Sequence, residues 1–236
     1  MIFLSLTLPV HNEEDIIEKV VEEVIKALDK CKITYEIILV ENGSKDRSLD
    51  KLIILSKKHK TIRYFISPQG YGSAILKGLR ESKGKYVSFM PSDGQVDLSI
   101  LQKLIDNAPV YDLVKVKRVS RENLGRTFVS LSFDLIIHIL FGSVLLDING
   151  DPKIFLREKL KLLKLKSNDS FINTELIIKI SKLKWSVLEI PIENINRYGG
   201  KSTRHFGTYT EFFRNIFNYK FSPVLKKWNK TIEKEI

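Results

Sequence analysis

Four short apolar runs, Phe3–Pro9, Tyr35–Val40, Ile62–Ile66 and Tyr86–Met90, are separated by segments whose apolar residues recur at helical spacing. The spacing predicts helices at Ile16–Leu28, from about Asp46 to Lys57, and at Gly72–Glu81. The first opens on Glu13-Glu14-Asp15, acidic residues that suit a helix N-terminus. Strands separated by helices are joined by crossovers rather than hairpins. The expectation is an α/β, Rossmann-like fold with a mostly parallel central sheet and helices on both faces. Such sheets bind ligands outside the carboxyl ends of their strands.

Beyond Asp97 the alternation loosens. A helix is expected near Leu98–Asn107, a strand at Asp112–Lys117, a long apolar helical stretch at Phe128–Leu146, a helix at Ile172–Lys182 and a strand at Val187–Ile192. Tyr198-Gly-Gly-Lys-Ser-Thr-Arg204 has the composition of a loop. The tail then alternates aromatic and basic residues, from Tyr209, Phe212, Phe213 and Phe217 to Lys226, Lys227 and Trp228. The division expected is one domain over residues 1–205 and a helical, aromatic-basic extension over 206–236, placed at a membrane interface.

Composition narrows the classes. With 43% hydrophobic and 28% charged residues among 236, the chain is globular rather than disordered or repetitive. The single cysteine, Cys31, excludes a disulfide scaffold and a cysteine-based zinc site and suits a reducing compartment. The N-terminus lacks a basic leader and reads as a first strand. Asp134 and His138 interrupt Phe128–Leu146, and one charge at a bilayer centre costs about 2.5–3.5 kcal/mol, which argues against spanning. Residues 1–100 carry 15 basic and 14 acidic side chains, against 24 and 14 in residues 101–236. The second half is therefore expected to face something anionic. Nucleic acid is disfavoured, because no basic recognition helix, zinc-finger spacing or aromatic RNA-binding signature is present.

Polar residues gather where the strands end. Strand one runs into Pro9-Val-His-Asn12-Glu13-Glu14, strand two into Val40-Glu41-Asn42-Gly43-Ser44-Lys45-Asp46, and strand four into Pro91-Ser-Asp93-Gly-Gln95. Alone, each is a helix start or a turn. Further segments follow in order: Gln69-Gly70-Tyr71-Gly72-Ser73-Ala74, Asp147-Ile-Asn-Gly-Asp151-Pro-Lys153, Asn173-Thr-Glu175-Leu and Arg197-Tyr-Gly-Gly-Lys201-Ser202. Together they resemble the family 2 glycosyltransferases of GT-A fold, and within them the polyprenyl-phosphate sugar transferases such as dolichol-phosphate mannose and glucose synthases. The resemblance runs from Leu6 to about Ser202. The family patterns in question are P-x-x-N-E-E, V-D-D-G-S-x-D, N-x-G-x-G-x-A, D-x-D-x-Q, D-x-x-x-G-x-K, D-x-E-L and R-x-x-G-K-S.

The resemblance implies an enzyme that moves a sugar from a GDP- or UDP-sugar to a polyprenyl phosphate, with inversion, at the cytoplasmic face of a membrane. It implies nucleotide-sugar contacts at Pro9, Asn12, Glu13, Glu41, Asn42, Gly70, Gly72, Asp93 and Lys201, and Mg2+ or Mn2+ on Asp93 and Gln95. It implies acceptor-phosphate contacts at Arg118, Arg126, Ser130 and Arg197, with Asp93, Arg126 and Arg197 as the catalytic set. Lys201, Ser202 and Arg204 would close over the diphosphate, and Glu175 would shape the sugar or loop contacts. Two departures bear on this: Pro91 stands where the first metal-motif aspartate stands, and Glu41-Asn42 replaces an Asp-Asp pair. A sugar-hydroxyl acceptor would instead need a general base, for which Asp147 and Asp151 are the candidates. A catalytically silent module that binds nucleotide sugar or lipid is the alternative from another class.

Overall fold

The computed structural model describes residues 1–119, 124–143, 145–193 and 206–235, with the backbone alone for 124–131, 206–213 and 235. In chain order its strands are β1 (Leu4–Val10), β2 (Tyr35–Glu41), β3 (Ile62–Ile66), β4 (Tyr86–Phe89), β5 (Leu113–Arg118), β6 (Lys153–Leu156) and β7 (Val187–Ile192). Its helices are α1 (Ile17–Lys30), α2 (Ser48–Lys58), α3 (Tyr71–Glu81), α4 (Ile100–Asn107), α5 (Leu124–Phe141), α6 (Leu160–Leu163), α7 (Ile172–Lys182), α8 (Phe206–Phe221) and α9 (Pro223–Glu235).

The strands form one sheet in the order β3-β2-β1-β4-β6-β5-β7. β1 pairs in parallel with both β2 and β4. The chain therefore grows outward from β1 to β3, then returns to the other side of β1 as β4. That reversal is a topological switch point, where the loops leaving β1 and β4 part and open a crevice. β6 runs antiparallel to both its neighbours, β4 and β5.

All seven residues of β1 are buried, as a strand covered on both faces must be. Leu4, Leu6 and Leu8 join Val20, Val21, Val24 and Leu28 of α1 and Leu52 and Leu55 of α2 in one core. On the opposite face, Ile75 and Leu79 of α3 pack with Val87, Phe89 and residues of α5 and α7 in a second. α3 lies close to β1 because Gly78 has no side chain: a Cβ there would stand 2.2 Å from the Thr7 methyl.

Some expectations shift. The strand Lys153–Leu156 was not legible as one, since it is four residues long and begins on a lysine. The apolar helix ends at Phe141 rather than Leu146, because Gly142 takes φ +71° and turns the chain out of the helix. Among the described residues no helix is long and apolar enough to cross a membrane. In the C-terminal extension, Ile216, Tyr219, Leu225, Trp228 and Ile232 of α8 and α9 join the second core, and the Trp228 indole N–H donates to the Leu162 carbonyl at 2.8 Å. Tyr219 and Trp228 thus point inward, whereas Phe217 and Phe221 are exposed.

Candidate active site

The loops leaving β1 and β2 are stitched together by side chains. Asn12, at φ +53°, accepts the Lys45 N–H at 2.7 Å on its Oδ1. Ser44 and Ser48 accept the N–H groups of Asn12 and Glu13 at 3.1 and 2.9 Å, and Asp46 accepts that of Glu14 at 3.1 Å. Glu41, buried at the end of β2, accepts the Ser44 N–H. Burial would raise the Asp46 carboxyl, but the hydrogen bonds from Ser48 and Glu14 outweigh it and hold it below its ordinary range. These polar residues therefore first build the rim of the crevice. His11 approaches the Asn42 carbonyl at 2.8 Å from its Nδ1.

The glycine segment forms the next wall. The Asn42 Oδ1 accepts the Gly70 N–H at 2.6 Å, tying the end of β2 to the start of α3. Gly70 takes φ +134°, and a Cβ on it would stand 2.3 Å from the Asn168 carbonyl oxygen. On Gly72 a Cβ would meet the carbonyl oxygens of Ser167 and Asp169 at 2.3 and 2.6 Å. Both positions require glycine because the segment 167–169 lies directly against them. Glu175 holds that segment: its Oε2 accepts the N–H groups of Lys166 and Ser167 at 2.9 and 2.8 Å, while its Oε1 pairs with buried Lys179 at 2.6 Å. Burial pushes the Glu175 carboxyl up, and Lys179 with the two N–H donors brings it below its ordinary value.

A charged floor lies beneath the other side of the crevice. Arg118, at the end of β5, clasps Asp147 with Nε to Oδ2 at 2.9 Å and Nη2 to Oδ1 at 2.6 Å, and its own N–H adds a bond of 2.8 Å to Oδ2. Burial would raise the Asp147 carboxyl, yet Arg118 draws it down to about 2. Asp134, from the middle of α5, accepts the Asp147 N–H at 3.0 Å. Lys153 is fully buried, with Asp151 Oδ1 at 2.6 Å and Asn173 Oδ1 at 3.0 Å from its Nζ. Its burial pushes the ammonium down to about 8 despite Asp151.

Divalent magnesium or manganese is tested by the donors around Asp93. The Asp93 Oδ1 accepts the Gln95 N–H at 3.1 Å, which fixes the turn after β4, and the Ser92 hydroxyl ties that turn to the Pro9 carbonyl at 2.7 Å. Among the described residues no group of three His, Cys, Asp or Glu side chains is arranged to hold a metal. Such ions commonly bind through one or two carboxylates plus substrate phosphates and water. One carboxylate and one amide, with proline at 91, fit an ion that arrives with a diphosphate, and do not fit a protein-only cage.

The structure thus brings Pro9, Asn12, Glu13, Glu41, Asn42, Gly70, Gly72, Asp93 and Gln95 to one edge of the sheet. Arg118 is also at a strand end, but turned to Asp147. Arg126 and Ser130 lie four residues apart on α5, on one helical face. Arg197, Lys201, Ser202 and Arg204 lie outside the described residues. His138 is exposed and its Nδ1 approaches the Ser143 carbonyl. Lys153 and Tyr71 stand inside quoted segments without a role of their own, Lys153 as the closing lysine of D-x-x-x-G-x-K, and Asn168 is given none.

Residues 5–162 match the sequence profile described as glycosyl transferase family 2. A dolichyl-phosphate beta-glucosyltransferase of Trichomonas vaginalis is 26% identical over 216 residues, covering 81% of this chain and 65% of that protein. An undecaprenyl-phosphate 4-deoxy-4-formamido-L-arabinose transferase of Pectobacterium atrosepticum is 31% identical over 149 residues, covering 61% and 46%. The chain spans 40 to 65% of the length of the first curated relatives it matches. Among solved structures, glucosyl-3-phosphoglycerate synthase from Mycobacterium tuberculosis, in complex with Mg2+ and uridine diphosphate, superposes with a TM-score of 0.71 at 19% identity, over 92% of this chain and 79% of that one. The shared fold is GT-A.

Proposed function

The chain belongs to glycosyl transferase family 2, and from that premise we propose that it transfers one sugar, with inversion, from a GDP- or UDP-sugar to a polyprenyl phosphate at the cytoplasmic face of a membrane. Support for the donor half comes from the edge that gathers Asn12, Glu41, Asn42, Gly70, Gly72 and Asp93 at the switch point. Gly70 and Gly72 leave the backbone open to close approach, and Asp93 with Gln95 would hold Mg2+ or Mn2+ together with the diphosphate. When bound, the cation acts as a Lewis acid that stabilises the charge developing on the leaving diphosphate.

The single observation that carries the acceptor half is the state of the two candidate bases. Asp147 has both carboxylate oxygens on Arg118 and sits at about 2. Asp151 has one oxygen on Lys153 and the other near Asn173 and Tyr71. Both carboxylates are already engaged, which supports an acceptor from which no proton need be removed. A phosphate monoester needs no base: its second pKa is about 6, so near neutrality it is already an anionic nucleophile. In-line attack on the anomeric carbon, through an oxocarbenium-like transition state, inverts it. Arg126, Ser130 and Arg197 are the residues we assign to the acceptor phosphate, with arginine suited by its planar pair of donors. Lys201 is assigned to the donor diphosphate.

Membrane contact is assigned to α5 and α8, which pack on each other. Each carries an exposed apolar pair four residues apart, Leu135 and Ile139 on α5 and Phe217 and Phe221 on α8, with exposed Arg214, Lys226 and Lys227 nearby in the chain. An apolar strip flanked by cations suits an interface with anionic lipid.

Purified protein incubated with Mn2+ and a panel of labelled GDP- and UDP-sugars and short polyprenyl phosphates should give a lipid-linked product with one donor. Mn2+ with the matching nucleotide should raise the melting temperature, and Asp93→Ala should abolish that rise. A protein unmoved by every nucleotide, or one that glycosylates hydroxyl acceptors but not polyprenyl phosphate, would refute the proposal.

A further inference from the structure

Lys153 is a cation with no exposed surface, lying 5.5 Å above the Phe89 ring in the floor of the crevice. A buried ammonium persists only beside a counter-charge and with its donors satisfied. Asp151 supplies the charge at 2.6 Å and Asn173 the second acceptor at 3.0 Å. Asn173 also donates from Nδ2 to the Asp151 Oδ2 at 3.2 Å, which closes a three-membered ring of polar groups. The same Oδ2 receives the Tyr71 hydroxyl at 3.3 Å. Tyr71 is the first residue of α3 and stands between Gly70 and Gly72.

Both partners of Lys153 also stand at positions where this chain leaves the family patterns quoted above, as it does at Pro91 and Glu41-Asn42. Asp151 occupies the glycine position of D-x-x-x-G-x-K, and Asn173 the aspartate position of D-x-E-L. One carboxylate is gained at 151 and one is missing at 173, and the two side chains touch. The net charge around Lys153 is the same in either arrangement. Aspartate and asparagine have the same shape, so swapping Asp151 and Asn173 within this chain alters which of two facing atoms carries hydrogen and little else.

We infer that Asp151 is a positioning residue: it takes over the counter-charge of Lys153 from position 173 and, through the Tyr71 hydroxyl, fixes the glycine turn that opens α3 against the sheet. The turn is then held from three sides. Asn42 grips the Gly70 N–H, the segment 167–169 lies against Gly70 and Gly72, and Asp151 holds Tyr71. The consequence for donor binding rests on the function proposed above, whereas the exchange of charge between 151 and 173 does not. Asp151 also lies two residues before Lys153, as Pro91 lies two residues after Lys153's ladder partner Phe89. A role as a direct cation ligand is therefore the rival that the experiment must separate.

Four variants decide it: Asp151→Asn, Asn173→Asp, the double exchange, and Tyr71→Phe, each read by melting temperature and by calorimetric titration with UDP or GDP in the presence of Mn2+. Asp151→Asn strands a buried cation and should lower the melting temperature by roughly 6–20 °C. Asn173→Asp sets two carboxylates against each other and should lower it as well. The double exchange should regain most of the loss and bind Mn2+ and nucleotide. Tyr71→Phe should melt near the parent and weaken nucleotide binding by about 3–10-fold, the worth of one hydrogen bond. A double exchange as unstable as Asp151→Asn overturns the inference. So does a stable double exchange that no longer binds Mn2+ with nucleotide, because the carboxylate at 151 would then serve the ligand directly. A parent that binds neither nucleotide counts against the functional proposal, while the melting temperatures still decide the exchange.

Discussion

Replacing Asp147 by asparagine tests how the floor of the site is held. The carboxylate is 4% exposed and takes three hydrogen bonds from Arg118, at 2.6, 2.8 and 2.9 Å. Its pKa falls from 3.8 to about 2, with burial opposing and the Arg118 bonds and charge prevailing. At about 1.4 kcal/mol per unit, that depression is worth about 2 kcal/mol at neutral pH. The native state binds fewer protons than the unfolded state, so this stabilisation is complete above about pH 5. It is lost as pH falls towards 2, and about half remains near pH 3. Truncating one partner of a buried pair costs about 3–5 kcal/mol in general. Arg118 keeps some access to water, so Asp147→Asn should cost about 2–4 kcal/mol and lower Tm by roughly 4–16 °C. Urea unfolding followed by circular dichroism at pH 7 and near pH 3 reads both quantities. The gap between the parent and Asp147→Asn should narrow at the lower pH. An equal gap at both values, or one under about 0.5 kcal/mol at pH 7, would refute the clasp as the source of the depressed pKa.

Gly72→Ala places a Cβ within 2.3 Å of the Ser167 carbonyl and 2.6 Å of that of Asp169, so the segment 167–169 must withdraw from α3. It should lose about 1–3 kcal/mol of stability, and Mn2+-dependent nucleotide binding should weaken with it, both measurable by thermal shift. Phe217→Ser with Phe221→Ser removes the exposed apolar pair of α8 while leaving its buried Ile216 and Tyr219 in place. Sedimentation with anionic vesicles should fall several-fold at unchanged Tm, and unchanged sedimentation would remove α8 from the membrane contact.

The parallel half of the sheet was legible because its signal is local. β1, β2 and β4 are apolar runs buried almost throughout, β3 is an edge strand with Ile62 buried, and helical periods separate them. The crevice residues were legible for the same reason, since the ends of those strands can be read off once the strands are placed. β6 was not, because a four-residue strand beginning with Lys153 has too little period to register, and one of the partners that let Lys153 be buried, Asn173, lies 20 residues further on. The engagement of Arg118 by Asp147 was hidden for a like reason: it joins positions 29 apart, and sequence marks an arginine as available to phosphate whether or not a carboxylate already holds it. The inward turn of Trp228 follows from the indole bond to Leu162, 66 residues away, which an alternation of aromatic and basic residues does not encode.

The basic surplus of residues 101–236 serves two separate ends. Lys115, Lys153 and Lys179 have no exposed side-chain surface, and each faces a carboxylate, from Glu189, Asp151 and Glu175. With Arg118 and Asp147, that makes four pairs drawn entirely from this half. Of 24 cations and 14 carboxylates, 20 and 10 remain outside these pairs, so the surplus of ten is carried by fewer groups and the bias towards cations steepens. Buried pairs add little net stability over apolar packing, but removing one member is severe, so they act as locks on register. All four lie around β5, β6, β7 and α7, where the sheet changes from parallel to antiparallel and apolar pattern alone specifies least. β1 and β2 contain no lysine and each keeps one largely apolar face, with buried Glu36 of β2 taking Ser5 of β1 and Arg63 of β3 on the other. The internal pairs are shielded from salt, whereas exposed cations such as Lys226 and Lys227 are screened within about 8 Å at physiological ionic strength. Raising the salt concentration therefore weakens attraction to an anionic acceptor or membrane while leaving the locks, and with them the fold of the second half, intact.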